Sequence, residues 1–505
     1  MKFLSKLFVT LVGIILPFFS EAHVSFKQLA TLTPTLPGMA VLGDSFGEVL
    51  FISDEFVFVG APVTTPVDNK FISGAVYVYK KKNQDQWINT QIITTDGLLD
   101  HLSALKIYAT KNWLFIAATG TPIGPVPNDI PMNQNFTGAI LIYKRDKNND
   151  QWIFTQSIDR QTPGLEDLSV ASPGAVTPPP VPFLLVENGA TFGVSFDVNP
   201  DKELLLVGAP GQINLDSNHS PIMNSGTVYA FKLHEGHWKF IQKFTNPDGV
   251  TSNDSFGGQV VIHKKYALIS NTLITTPHIN SNSNVYLYHF ERGKWRFVQK
   301  IEGDEASNTL VEIKVWGGNT PFQLSPNFGG SIAADEEWVV IGAPYENLGT
   351  NQLKGAAYFY KFTRNKGTKK LVRMQKIVSD DSNTLFTGIA TAINSNLAVI
   401  GDPGHVGPQG EQAQGGILVY RRKGDHWAKE TVLFDDGGFP FQLFGNGVAV
   451  KDNLIIGGAG NAFIGSVVLT SVPEFIPLPA PLAQNKVVIW KRKDKDNHQE
   501  SCHCD

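Results

Sequence analysis

Residues 328–360 read FGGSIAADEEWVVIGAPYENLGTNQLKGAAYFY, and this stretch decides the fold. It opens on Phe328-Gly329. It then runs through the apolar Val339-Val340-Ile341 into Gly342-Ala343-Pro344, and ends on Gly355 followed by Tyr358-Phe359-Tyr360. A continuous apolar run before a turn suits a strand covered on both faces. Aromatic alternation suits a pleated surface. The same order recurs along the chain. Phe-Gly returns at Phe46, Phe192, Phe256 and Phe444, with Thr387 inserted between Phe386 and Gly388. Ala104-Leu105 is a worn copy, because Leu102–Gly120 aligns with Asp44–Pro62 without gaps. Gly-Ala-Pro returns at Gly60 and Gly208, and in weaker form at Gly401-Asp402-Pro403, Gly458-Ala459-Gly460, Ala118-Thr119-Gly120 and Ser270-Asn271. A glycine precedes the alternating run at Gly74, Gly138, Gly226 and Gly416; Val285–Tyr288 and Val487–Trp490 lack it. A fourth signature places Gln four positions after Trp: Trp87/Gln91, Trp152/Gln156, Trp238/Gln242 and Trp295/Gln299, with Leu371/Gln375 and Trp427/Thr431 as variants.

Each unit therefore predicts four antiparallel strands, A to D. Strand A follows Phe-Gly, B precedes Gly-Ala-Pro, C carries the aromatics and D carries Trp and Gln. No stretch after the leader keeps a helical period with caps. One such sheet cannot cover both its faces, and seven in tandem cover one another in a ring, so the predicted fold is an all-β, seven-bladed β-propeller. The last unit runs out after Val487–Trp490. Phe26-Lys27-Gln28-Leu29 resembles a D strand, so residues 24–32 are expected to complete the last blade. The predicted organisation is a leader at 1–22, one propeller domain at 23–491 and a charged tail at 492–505.

The paired Phe-Gly and Gly-Ala-Pro motifs resemble the FG-GAP repeats of the integrin α-chain head, over residues 24–491. The resemblance implies an extracellular propeller used in adhesion or ligand binding, with calcium held in A–B hairpins of D-x-D-x-D-G type. Calcium needs about six hard oxygen ligands. Here the A–B turns are short and several carry lysine, as in His263-Lys264-Lys265 and Lys451-Asp452-Asn453. The nearest approach is Asp197, Asn199 and Asp201, with Lys202 where the family has glycine. A plain hairpin turn is the favoured reading there, and no cofactor is expected.

Composition bounds the partners. The 505 residues carry 42 basic and 46 acidic side chains, a net charge of −4, which argues against nucleic-acid binding. The 42% hydrophobic content argues against disorder. Lys2 and Lys6, the apolar Leu7–Phe19 and then Ser20-Glu21-Ala22 have the layout of a secretory leader, too short to span a bilayer. The chain is expected to be exported: secreted, periplasmic or at a cell surface. The two cysteines, Cys502 and Cys504, read as incidental thiols in a disordered tail, with a soft metal or an intermolecular disulfide as alternatives. Asn135, Asn218 and Asn253 begin Asn-x-Ser/Thr sequons.

In an up-and-down blade the A–B and C–D turns share one face, and the B–C and D–A connections share the other. The C–D turns are rich in bases, as at Lys80-Lys81-Lys82, Lys144-Arg145 and Arg421-Arg422-Lys423, and the D–A turns repeat Asp. Solvated hairpin tips explain the bases, and contact with an anionic surface is the alternative. The long connections, with insertions at 160–189 and 303–327, lie on the B–C face. Variable loops on a rigid scaffold commonly carry binding function. The expected function is thus non-catalytic binding or adhesion, by a monomer, to a protein or glycan ligand through the long B–C loops. The runner-up is a hydrolase or lyase with its active site at the central channel, or a structural cell-surface component. No H-E-x-x-H or Gly-x-Ser-x-Gly is present, and His219, His234, His237 and His278 read as surface residues. The repeated Trp reads as packing between blades.

Overall fold

The structure is a computed structural model. It describes residues 26–33, 46–47, 49–61, 74–83, 86–94, 106–118, 137–169, 189–272, 283–304, 311–314, 321–346, 353–365, 368–440, 442–459 and 486–492. The proposed leader and the tail with both cysteines lie outside these residues. So do Asn135, His278 and Pro178-Pro179-Pro180.

Seven four-stranded antiparallel sheets form the ring. Their A strands are Val49–Ile52, Ile107–Ala109, Ser195–Asn199, Val260–His263, Ser331–Asp335, Thr391–Ile393 and Gly447–Lys451. These A strands contact one another from blade to blade, which places them around the axis. Two short hairpins decorate the ring: Asn214–Leu215 with Pro221–Ile222, and Val311–Lys314 with Pro321–Leu324. No helix among the described residues is long and apolar enough to cross a membrane.

The signatures have separable jobs. Each Phe of Phe-Gly is buried; Phe46, Phe192, Phe256 and Phe328 lie edge-on against the tyrosine of their own strand C, as in Phe46–Tyr77 at 5.1 Å and Phe328–Tyr358 at 5.3 Å between ring centroids, while Phe444 meets Trp490 and Phe386 meets Tyr345. The glycine then donates its N–H to the blade's own strand B, for example Gly329 to Gly342 O and Gly445 to Gly458 O, both at 2.9 Å. The Trp side chains pack between blades. Trp152 lies 5.6 Å from Phe58 of the preceding blade, and Trp427 lies 5.1 Å from Phe359.

The glutamine is an interblade clamp. Gln375 donates to Trp427 O and accepts from Trp427 N, both at 2.9 Å. Gln91 treats Trp152 the same way (3.0 and 2.7 Å), Gln242 treats Trp295 (3.1 and 2.8 Å), and Gln299 treats Leu371 (2.9 and 2.9 Å). One side-chain amide thus reproduces a ladder pair between two outer strands that belong to different sheets. A β-bulge sits beside each clamp, as between Phe359 and Tyr360. It adds twist where strand D must turn toward its neighbour.

Phe26–Leu32 pairs antiparallel with Val487–Arg492, so the last blade is closed by the N-terminal strand as the sequence implies. Ala30 faces Ile489 as Gln91 faces Val78, so Ala30 holds the clamp position of that blade. One correction concerns the worn unit. Ser53 N bonds Phe56 O in the first A–B turn, whereas Thr110 N bonds Trp113 O in the second. The gapless alignment would place that second turn one residue later, starting at Lys111. Tyr108 is therefore the structural counterpart of Phe51.

Candidate functional site

At the middle of each A strand one side chain occupies the inner edge of the cleft between a blade and the next. Around the ring these are Phe51, Tyr108, Asp197, Val261, Ala333, Ala392 and Ala449, set by the pairing of each A strand with its B strand. The first two blades carry bulky side chains at this position and the last three carry alanine. Phe51 and Tyr108 are ring neighbours, their centroids 5.2 Å apart. Asp197 is the one acid in this layer.

Its carboxylate is held on the channel wall. Gln259 O accepts from Ser270 N, so the main chains of Gln259, Val261 and His263 face strand B and the Ile262 N–H, between the last two, turns inward. Asp197 Oδ2 accepts that N–H at 2.7 Å, and Oδ1 accepts Val198 N at 2.8 Å. The residue is half-buried. Desolvation is the dominant effect and pushes its pKa up from 3.8 to about 6, against the opposing pull of the Lys106 charge and these two hydrogen bonds. Tyr108 feels Asp197 and Asp201 in turn. Burial first, and then these charges, raise its pKa, so the phenol keeps its proton.

Asp197, Asn199 and Asp201 do not converge. Asn199 donates Nδ2 to Lys264 O at 2.7 Å and accepts Lys202 N at 3.1 Å, and Asp201 is exposed in the turn. Among the described residues no group of three or more His, Cys, Asp or Glu side chains is placed to hold a metal. The short A–B turns are instead stitched to one another. His263 Nε2 lies 2.7 Å from Glu336 O, Asn394 Nδ2 donates to Asp452 O at 2.8 Å, and Lys451 pairs with Asp54 at 2.9 Å.

Some bases of the C–D turns are paired with acids. Lys80 pairs with Asp150, Arg145 with Glu55 and Asp150, and Arg421 with Glu430. On the opposite face one device appears in three successive blades. A strand C tyrosine and its cross-strand lysine share a loop carboxylate: Tyr229 and Lys243 with Asp167, Tyr286 and Lys300 with Asp248, Tyr358 and Lys376 with Glu346. Asp167 lies in the 160–189 insertion, so this device pins the described part of that insertion to its blade. The lysine directly follows the signature glutamine, a sequence signal that was available and went unread. Asp402, at the alanine position of Gly-Ala-Pro, is buried among the hydroxyls of Ser379, Thr384 and Thr387. Burial raises its pKa despite these donors. His219, His234 and His237 are exposed, as expected; His405, 3.4 Å from Asp381, is a partly buried histidine that sequence reading did not single out.

No family model matches this chain, and no curated protein does. Solved structures do. A putative 6-phosphogluconolactonase from Bacteroides uniformis shares 10% identity, with 81% of this chain and 89% of that one covered and a TM-score of 0.45. A hypothetical selenium-binding protein from Sulfolobus tokodaii shares 12%, over 79% and 82%, with a TM-score of 0.45. A putative 6-phosphogluconolactonase from Bacteroides fragilis shares 10%, over 78% and 85%, with a TM-score of 0.44. The expected non-catalytic adhesion reading is corrected at this point. Two of these three solved structures are named putative 6-phosphogluconolactonases. What stands is a seven-bladed β-propeller.

Proposed function

We propose that the chain is an exported hydrolase of small esters or lactones that enter the central channel, with Asp197 as the general base. The observation that supports this reading is the Asp197 carboxylate on an inner strand, fixed by two N–H groups that turn away from their own ladders. A base must be rigid and tuned near the working pH. Asp197 takes a proton from water as the water oxygen bonds the acyl carbon. The Lys106 charge, which acts on Asp197, is assigned to the developing oxyanion, and the proton passes on to the departing alkoxide when the acyl C–O bond breaks. Kinship with the FG-GAP repeats remains part of the proposal, resting on the shared work of Phe-Gly and Gly-Ala-Pro in each blade.

The test is a pH-stat assay on a panel of aliphatic lactones and aryl esters. Hydrolysis should rise with pH through about 6 and then level off. Asp197→Asn should lose about 10²–10⁴-fold in kcat, the usual worth of a general base. A panel that stays unhydrolysed, or an Asn variant as fast as the parent, sinks the reading.

A stability prediction follows from the same group. Its folded pKa lies above its unfolded one, so its contribution is full below about pH 4 and fades as pH rises through about 6. The fade amounts to about 2 kcal/mol after allowance for water in the channel. Denaturation midpoints of the parent should fall over that window more steeply than those of Asp197→Asn.

A further inference from the structure

We infer that Asn218 is an N-glycan acceptor, and that of the three sequons it is the one presented for modification. The inference rests on the export reading above. Asn218-His219-Ser220 forms the tip of the hairpin between Asn214–Leu215 and Pro221–Ile222, on the long-loop face of the third blade. Residues 217–221 are all exposed. Asp216 builds the tip by itself. Its Oδ1 accepts both Asn218 N and Ser220 N at 2.8 Å, and its backbone N–H bonds Ser220 O at 2.9 Å. These bonds use main-chain groups and the Asp216 side chain. Among the described residues, no bond engages the Asn218 carboxamide or the Ser220 hydroxyl. Both groups that define the acceptor are therefore free and face solvent on a short, self-braced turn.

The other sequons are presented differently. Asn253 accepts a hydrogen bond from Asn224 Nδ2 at 3.2 Å, and its Ser255 is fully buried beneath the loop. Asn135 lies outside the described residues, and its Thr137 is 5% exposed. A large polar glycan at Asn218 would project from the ring, away from the clefts between blades. In the transfer, the Asn218 amide nitrogen bonds the anomeric carbon of a lipid-pyrophosphate-linked oligosaccharide. The anomeric carbon–oxygen bond to pyrophosphate breaks, and the amide proton leaves with the phosphate.

The experiment expresses the full chain from Met1 in a eukaryotic secretory host and reads intact mass before and after an amidase that releases N-glycans. Peptide mapping then locates the resulting Asn-to-Asp conversion. The expected result is a glycan at Asn218 that disappears in both Asn218→Gln and Ser220→Ala, with unchanged thermal midpoints because the tip is exposed. A second arm replaces residues 1–22 by a foreign secretory leader. A glycan at Asn218 in that arm alone upholds the acceptor and overturns the export reading. Secreted chain with Asn218 bare, or with the glycan on Asn253 or Asn135 instead, overturns the inference.

Discussion

Gly458→Ala should lower the stability of the whole ring by about 3 kcal/mol or more, a cost at the upper end for one added methyl. A Cβ on Gly458 would overlap the Gly47 carbonyl, the point where the last blade meets the first. Gly47 cannot retreat. Its φ of +94° is one that L side chains rarely adopt, and a Cβ of its own would lie 2.9 Å from Val487 Cγ2. The same overlap recurs at Gly208 with Gly257, Gly342 with Gly388, and Gly401 with Gly445. At these four seams the blades touch main chain to main chain, and no side chain can yield to relieve the clash. Gly236→Ala is the control. It also has positive φ, but nothing lies within 4 Å of its would-be Cβ, so it should cost only about 1 kcal/mol. Thermal midpoints and hydrogen exchange at Val487–Trp490 report the difference. Equal losses at Gly458 and Gly236 would mean that backbone conformation, not close approach, makes these glycines necessary.

That seam also shows why the fold was legible and the candidate site was not. Phe-Gly and Gly-Ala-Pro recur because two backbones meet at nearly the same place in every blade, and periodic geometry leaves a periodic trace in sequence. Strand count, strand order and closure by residues 26–32 all follow from that trace. Asp197 leaves none. It occupies a layer whose other members are Phe51, Tyr108, Val261 and three alanines, so it departs from the repeat rather than belonging to it. It drew notice in the sequence only as the first member of an oxygen-rich turn with Asn199 and Asp201. Strand alternation puts Asp197 and Asn199 on the same face, toward the fourth blade, but one strand repeat apart, so each spends its side chain on a different main-chain group there, Ile262 N and Lys264 O. The worn second unit hid its register for a related reason. Without a Phe-Gly pair to anchor it, a one-residue shift of the A–B turn costs the pattern nothing yet moves Tyr108 into the layer beside Asp197.

The glutamine clamp gives the second large effect, and it runs in both directions. Gln375→Ala should destabilise the ring by about 2–4 kcal/mol, because two hydrogen bonds vanish and the N–H and C=O of buried Trp427 are left unpaired. Gln375→Glu separates the two bonds. The carboxylate still accepts Trp427 N but no longer donates to Trp427 O, and it sets a charge against a carbonyl oxygen. It should be at least as harmful as alanine. The last blade offers the converse. Ala30 stands where four of the other outer strands carry the clamp, and Gln28 nearby donates only to Thr31 Oγ1 at 3.1 Å while its Oε1 is buried without a partner. Ala30→Gln would reach the main chain of Trp87 in the first blade as Gln91 reaches that of Trp152. It should add about 1 kcal/mol, two hydrogen bonds less the entropy of one ordered side chain. The gain should appear as slower unfolding of the ring, since the strand that must leave first to open it is Phe26–Leu32. Loss at Gln375 without gain at Ala30 would place the opening of the ring at some other seam.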